Sequence, residues 1–170
     1  MTEKEKMQVN LEPRQKFEKS FVEPDVYVAT VVEISDIKQE KGFPKKNEQG
    51  VLEQKMVDKF RIDVELDLEH NGKKVRLPYF LSASVTHASK QAGYSDSNLY
   101  TVLSLAKELD NFKVLWNVLA DQTKEEQHLA FTDWLRAKLL SRKVKVMTKT
   151  TKAIDGTNYS VVQQIVKFEN

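Results

Sequence analysis

A single-stranded polyanion is held by two kinds of side chain: cations that meet its phosphates and aromatic faces on which its bases stack. Three stretches of this 170-residue chain supply both kinds. Lys38, Lys41, Phe43, Lys45 and Lys46 share one segment with only Glu40 opposing them. Arg61, Arg76 and Phe80 occupy the polar positions of two alternating segments, and Lys149, Lys152 and Tyr159 flank a turn further on. The basic run Arg136, Lys138, Arg142, Lys143, Lys145, Lys149 and Lys152 contains no acid, which sets up a local positive field. Each feature also has a structural reading. Lysines in such a run can simply blunt a strand edge, and Phe43, between Gly42 and Pro44, can fold its loop back on the core. A bulge at Pro78 would turn Phe80 inward and Tyr79 outward. Asp63, Glu65 and Asp67 share the face of Arg61, where they repel phosphate or pair with it.

Other chemistries lack their residues. His70, His87 and His128 are scattered and there is no cysteine, so no metal-ligand spacing and no thiolate arise. Ser84 and Ser89 have no Gly-x-Ser-x-Gly setting, and the five glycines form no phosphate-cradling loop. Asp63 and Glu65, two residues apart, read as charge alternation on an exposed strand rather than a hydrolytic pair. The expectation is a binding module, not an enzyme, with no cofactor and no metal.

The elements that must position these residues follow from periodicity. Apolar residues make up 40% of the chain, enough for a core. The absence of cysteine suits a reducing compartment, and no signal-type or membrane-length apolar run is seen, so a cytoplasmic location without membrane contact is expected. Residues 1–24 mix charges with little periodicity and read as a flexible arm, with Phe17, Phe21 and Val22 as its anchors. Residues 25–170 read as the domain. Val26 to Ser35 is β-branched on both faces and forms a strand that can curve. Lys38 to Val57 reads as a long loop. Phe60, Ile62, Val64, Leu66 and Leu68 alternate with polar residues, Asn71-Gly72 makes a hairpin turn, and Val75, Leu77, Tyr79 and Leu81 form the inward face of the next strand. Pro78 belongs where the ladder is open.

The period then becomes helical over about 97–140. Ser97 caps a stripe of Leu99, Val102, Leu103, Ala106 and Leu109. Phe112, Leu115, Trp116 and Leu119 continue it, Thr123 and Glu126 have capping-box spacing, and Thr132 caps a last piece holding Trp134, Leu135 and Leu139. The two tryptophans read as core or as a docking surface. Val144 and Val146 open a fourth strand, Asp155-Gly156 turns, and Tyr159 to Phe168 returns.

Three strands, a helical insert and a hairpin give the order β-β-β-α-β-β. That order predicts a mainly β fold, a five-stranded OB-fold barrel whose helix plugs one end, with an α+β sandwich as the alternative. Three segments resemble the OB-fold single-stranded DNA-binding-like proteins of phages and mobile elements. They are Val26 to Ile34 (the opening strand), Ser97 to Leu103 (the start of the connecting helix) and Leu139 to Val146, where Ser141 stands at the position of the family's usual glycine. The resemblance implies single-stranded DNA, or RNA, as partner during replication or recombination of such an element. On an OB-fold the ligand lies on the outer face of strands two and three between two loops, which selects Lys41, Phe43, Lys45, Lys46, Arg61, Arg76, Phe80, Lys149, Lys152 and Tyr159. A protein partner at the helical insert is the competing expectation, and a homo-oligomer through strand edges stays open.

Overall fold

The computed structural model describes residues 21–41, 44–53, 55–87 and 96–169, with Lys41, Met56, Val57 and Asp58 described through their backbone alone. It is mainly β, with three helices between the sixth and seventh strands. The strands are β1 (Val26–Ile34), β2 (Lys38–Lys41), β3 (Lys45–Lys46), β4 (Leu52–Glu53), β5 (Met56–His70), β6 (Lys73–Ser82), β7 (Lys143–Lys152) and β8 (Asn158–Phe168). The helices are α1 (Asn98–Leu105), α2 (Leu109–Leu119) and α3 (Lys124–Leu139). The anchors of the N-terminal arm divide. Val22 is buried, exchanging hydrogen bonds with Ser160 Oγ, whereas Phe21 is exposed and Phe17 lies outside the described residues.

Every ladder is antiparallel, and the main sheet runs β6-β5-β1-β7-β8, with β2 on β5 beyond the end of β1. Among the described residues no ladder joins β6 to β8, so the sheet is open, although the two strands approach one another. Helix α1 touches both, and its Leu99, Val102 and Leu103 enter the core.

Local chemistry explains most elements. Asn71 and Gly72 both take positive φ, 51° and 74°, the geometry of a tight hairpin turn between β5 and β6. In β1, Ala29 and Val31 face the core. A bulge between Val31 and Glu33 then adds one residue, so Ile34 faces inward too despite its opposite parity. The segment expected to be a long loop instead contains β2 and a small β3–β4 hairpin, because Lys38 and Gln39 continue the line of β1 along β5. Ser97 caps α1 by accepting from Tyr100 N at 3.2 Å, and Thr123 caps α3 by accepting from Glu126 N at 3.2 Å. Thr132 caps nothing. It lies inside α3, buried, and its hydroxyl donates back to the carbonyls of His128 and Leu129. The apolar stripe from Leu99 to Leu109 is broken between α1 and α2, where Lys107 has φ 59°.

Pro78 pairs with Glu65 in unbroken register, so no bulge forms there. Asn98 Nδ2 donates to Phe80 O, and Ser82 N donates to Asn98 Oδ1, so the even-numbered residues of β6 present their backbone away from β5. The missing N–H of Pro78 therefore falls on the unladdered side and costs no sheet hydrogen bond.

Candidate nucleic-acid interface

Unbroken register through Pro78 makes Phe80 face outward, where its ring is 51% exposed, while Tyr79 packs against the core. Burial raises the Tyr79 phenol above its ordinary pKa, partly offset by its hydrogen bond with Asn98. The Arg61 guanidinium lies over the Phe80 ring, 4.8 Å from its centroid. Arg61 Nε is also 3.0 Å from Asp63 Oδ1, but that buried oxygen has no aligned hydrogen-bond partner, so the contact is ionic rather than directional. Lys38 Nζ reaches the other oxygen, Asp63 Oδ2, at 3.0 Å. Ser35 fixes the corner, since Ser35 N donates to Asp63 O and Asp63 N donates to Ser35 Oγ. An aromatic ring, a guanidinium and an ammonium thus gather around one carboxylate, at the end of the face where β2, β5 and β6 meet.

Arg76 stands apart from this cluster. Directly across from Asp67 in the ladder, it donates from Nε to Oδ1 at 2.8 Å and from Nη2 to Oδ2 at 3.3 Å. That bidentate pair holds the Asp67 carboxyl below the usual range. Glu65 lies between the two arginine sites. Burial raises its pKa, against the pull of Arg76, and the charges of Glu33, Asp63 and Asp67 add to the rise. Both arginines on this face are therefore paired with acids, so phosphate would have to compete for them.

Lys45 and Lys46 are exposed on β3, and Lys149 and Lys152 are exposed at the far end of β7. The registers separate these pairs. Val26, at the start of β1, is opposite Met147, so Lys149 to Lys152 run beyond that end, while Lys45 and Lys46 follow the other end. Tyr159 is half-buried opposite Thr151. Phe43 and the side chain of Lys41 lie outside the described residues.

The basic run turns out to be partly structural. Arg136 Nε donates to Ile34 O at 2.8 Å, and its other nitrogens meet Asp36 at 2.6 Å and Asp133 at 3.0 Å. This pairing lowers the Asp36 carboxyl pKa, chiefly through the Arg136 hydrogen bond. Arg142 lies over the Phe168 ring and reaches Ala106 O. Nor do Lys143 and Lys145 blunt an edge, because that stretch of β7 pairs with both β1 and β8, whereas Lys149 and Lys152 lie beyond β1 and pair with β8.

The helical insert divides its tryptophans. Trp134 is half-buried against Phe112 and Phe131, whereas Trp116, stacked on Phe112, is 43% exposed. Phe112, Trp116 and Phe131 form the aromatic wall of a cavity of about 300 Å³, closed on the sheet side by Ile37 and by Ala83 to Val85. His128 and Gln127 supply polar groups there. His128 meets the Phe60 ring edge-on, and burial first and then the Lys124 charge lower its pKa. Lys124 Nζ lies 4.2 Å from the centroid of that same ring. Sequence patterning does not reveal this cavity. Its walls come from segments far apart in the chain, and the one visible signal is the aromatic content of the insert.

Among the described residues no cluster of His, Asp and Glu could hold a metal ion, and no helix is long and apolar enough to cross a membrane. No protein-family model matches the sequence, and no curated protein matches it either.

Proposed function

We propose that this chain is a non-catalytic binder of single-stranded nucleic acid, DNA foremost, acting in replication or recombination of a phage or mobile element. One observation carries the reading: the half-exposed Phe80 ring beneath the Arg61 guanidinium, with Lys38 on the same carboxylate. An aromatic ring and a guanidinium plane offer bases a stacking surface, and the cations around it offer phosphates a charge. The strand order β6-β5-β1-β7-β8, with the helices inserted between β6 and β7, supports an OB-type barrel left open at its β6–β8 seam. In such a fold the outer face of β5 and β6 is the expected ligand surface. The acids Glu33, Asp63, Glu65 and Asp67 crowd that face, so binding concentrates at the Phe80 end.

The test is fluorescence anisotropy of a labelled oligo-dT titrated at low and moderate salt, with oligo-rU as competitor. Binding that weakens steeply with salt supports the reading. No binding at low salt, where phosphate attraction is strongest, refutes it. A second reading, a protein partner at the insert, is favoured by Val114 and Val118, 65% and 69% exposed one turn apart on α2.

A further inference from the structure

We propose that the cavity between the β2–β6 end of the sheet and helices α2 and α3 receives one unstacked nucleobase of the bound strand. This rests on the nucleic-acid reading and adds a second site to it. The volume of about 300 Å³ lies at the small end of ligand pockets, suited to a single ring system rather than an extended ligand. Its walls suit a planar heteroaromatic ring. Trp116 and Phe112, stacked with centroids 5.8 Å apart, give flat apolar faces, and Phe131 meets Phe112 edge-on. Bases also need edge partners. Gln127 donates its Nε2 to Leu119 O at 2.8 Å, which orients the amide and leaves its carbonyl oxygen to accept. His128, whose pKa burial and then the Lys124 charge lower, offers in its neutral form one ring nitrogen as donor and the other as acceptor.

The cavity is close in the chain to the outer platform. Ile37 lines it, and the next residue, Lys38, binds Asp63 beside Arg61. Ala83, also in its wall, follows Phe80 by three residues and donates its N–H to Phe60 O. Phe60 links the two sides, since its neighbour Arg61 covers Phe80 while its own ring meets His128 and Lys124. Lys38, paired with Asp63, and Lys124, over the Phe60 ring, are the cations that flank this link between the platform and the cavity. An apolar peptide side chain would also suit the aromatic wall, but it would leave the His128 and Gln127 groups without partners.

The experiment compares three oligonucleotides, oligo-dT, oligo-dA and an all-abasic chain of equal length, on the wild-type protein and two variants. Ala83→Leu fills the cavity, and Trp116→Ala, at a partly exposed position, removes its wall without emptying the core. Both variants are expected to bind the base-bearing oligonucleotides about tenfold more weakly, with abasic-chain binding unchanged. Tryptophan fluorescence of the wild type should be quenched by the base-bearing chains, and the quench should be lost in Trp116→Phe. Wild-type binding of oligo-dT with no change in either folded variant overturns the cavity site while leaving the platform reading standing. No wild-type binding overturns both. Quenching by N-acetyl-phenylalaninamide but not by adenosine overturns it in favour of a protein side chain.

Discussion

Removing the Phe80 ring separates base stacking from phosphate attraction. Phe80 is half exposed and its ring carries the Arg61 guanidinium, so Phe80→Ala removes about half the burial of a phenylalanine and one exposed cation–π interaction. The first is worth about 1 kcal/mol and the second about 0.5–1 kcal/mol. A loss of about 1–2 kcal/mol leaves a well-packed domain folded, which a thermal melt checks. Binding should suffer more. A stacked base contributes roughly 1–3 kcal/mol, so the dissociation constant for oligo-dT should rise about 5- to 150-fold. The slope of log affinity against log salt should stay unchanged, because Phe80 carries no charge. Lys38→Ala should do the opposite, lowering that slope by about 0.7 for each phosphate that the ammonium neutralises in the wild type. Phe80→Trp should retain binding. A folded Phe80→Ala protein that binds oligo-dT like the wild type would show that the ring is not a platform.

Asp67→Asn frees Arg76 and removes a charge that repels phosphate; it should tighten oligo-dT binding a few-fold and steepen the salt slope, at a small stability cost. Unchanged affinity would mean that Arg76 never meets a phosphate. Glu65 has a folded pKa above its unfolded value, so its contribution to stability declines as pH rises through that window and is least favourable above it. Glu65→Gln should therefore raise the melting temperature at pH 7 relative to wild type and give no such gain below the unfolded carboxylate pKa; an equal shift at both would contradict the burial argument. Ser141 has φ 68°, a conformation that costs an L-residue roughly 1–2 kcal/mol, while glycine adds about 0.5–1 kcal/mol of chain entropy. Ser141→Gly should then stabilise by about 0.5 kcal/mol in a denaturant titration, and a loss of stability would show that the serine side chain compensates.

Hydrophobic period and turn chemistry make the long strands, the Asn71-Gly72 turn and the Ser97 cap legible, because each is decided within a few residues. The outward Phe80 follows from alternation alone once Pro78 is placed on an open edge. The boundaries of α1 and α2 do not, since the left-handed Lys107 breaks a stripe whose apolar spacing continues across it. Short β2 is hidden because a strand of Lys, Gln and Glu has no apolar face and exists only through its pairing with β5. Charge is the least legible property. The acids on the strand of Arg61 are visible as its partners, but Arg76 and Arg136 look like a free basic surface in one dimension, and only the fold brings Asp67 and Asp36 to them. The cavity is illegible for a related reason, as its sheet wall and its helix wall meet only in three dimensions.

The seam between β6 and β8 is closed by side chains rather than by a ladder. Leu99, Val102 and Leu103 of α1 fill it, and the Asn98 amide stands in for a neighbouring strand at Phe80 and Ser82. Side-chain packing yields gradually, whereas a ladder opens one cooperative register at a time, so this seam is where the fold should breathe first. Amide exchange should reveal it. The Ser82 amide, held by Asn98, should exchange slowly, and those of Lys74 and Arg76, facing the same unladdered edge, should exchange fast even under conditions where β1 and β5 stay protected. Asn98→Ala should then release Ser82 to exchange at the rate of Arg76, converting a single amide side chain into the measure of how far the seam opens.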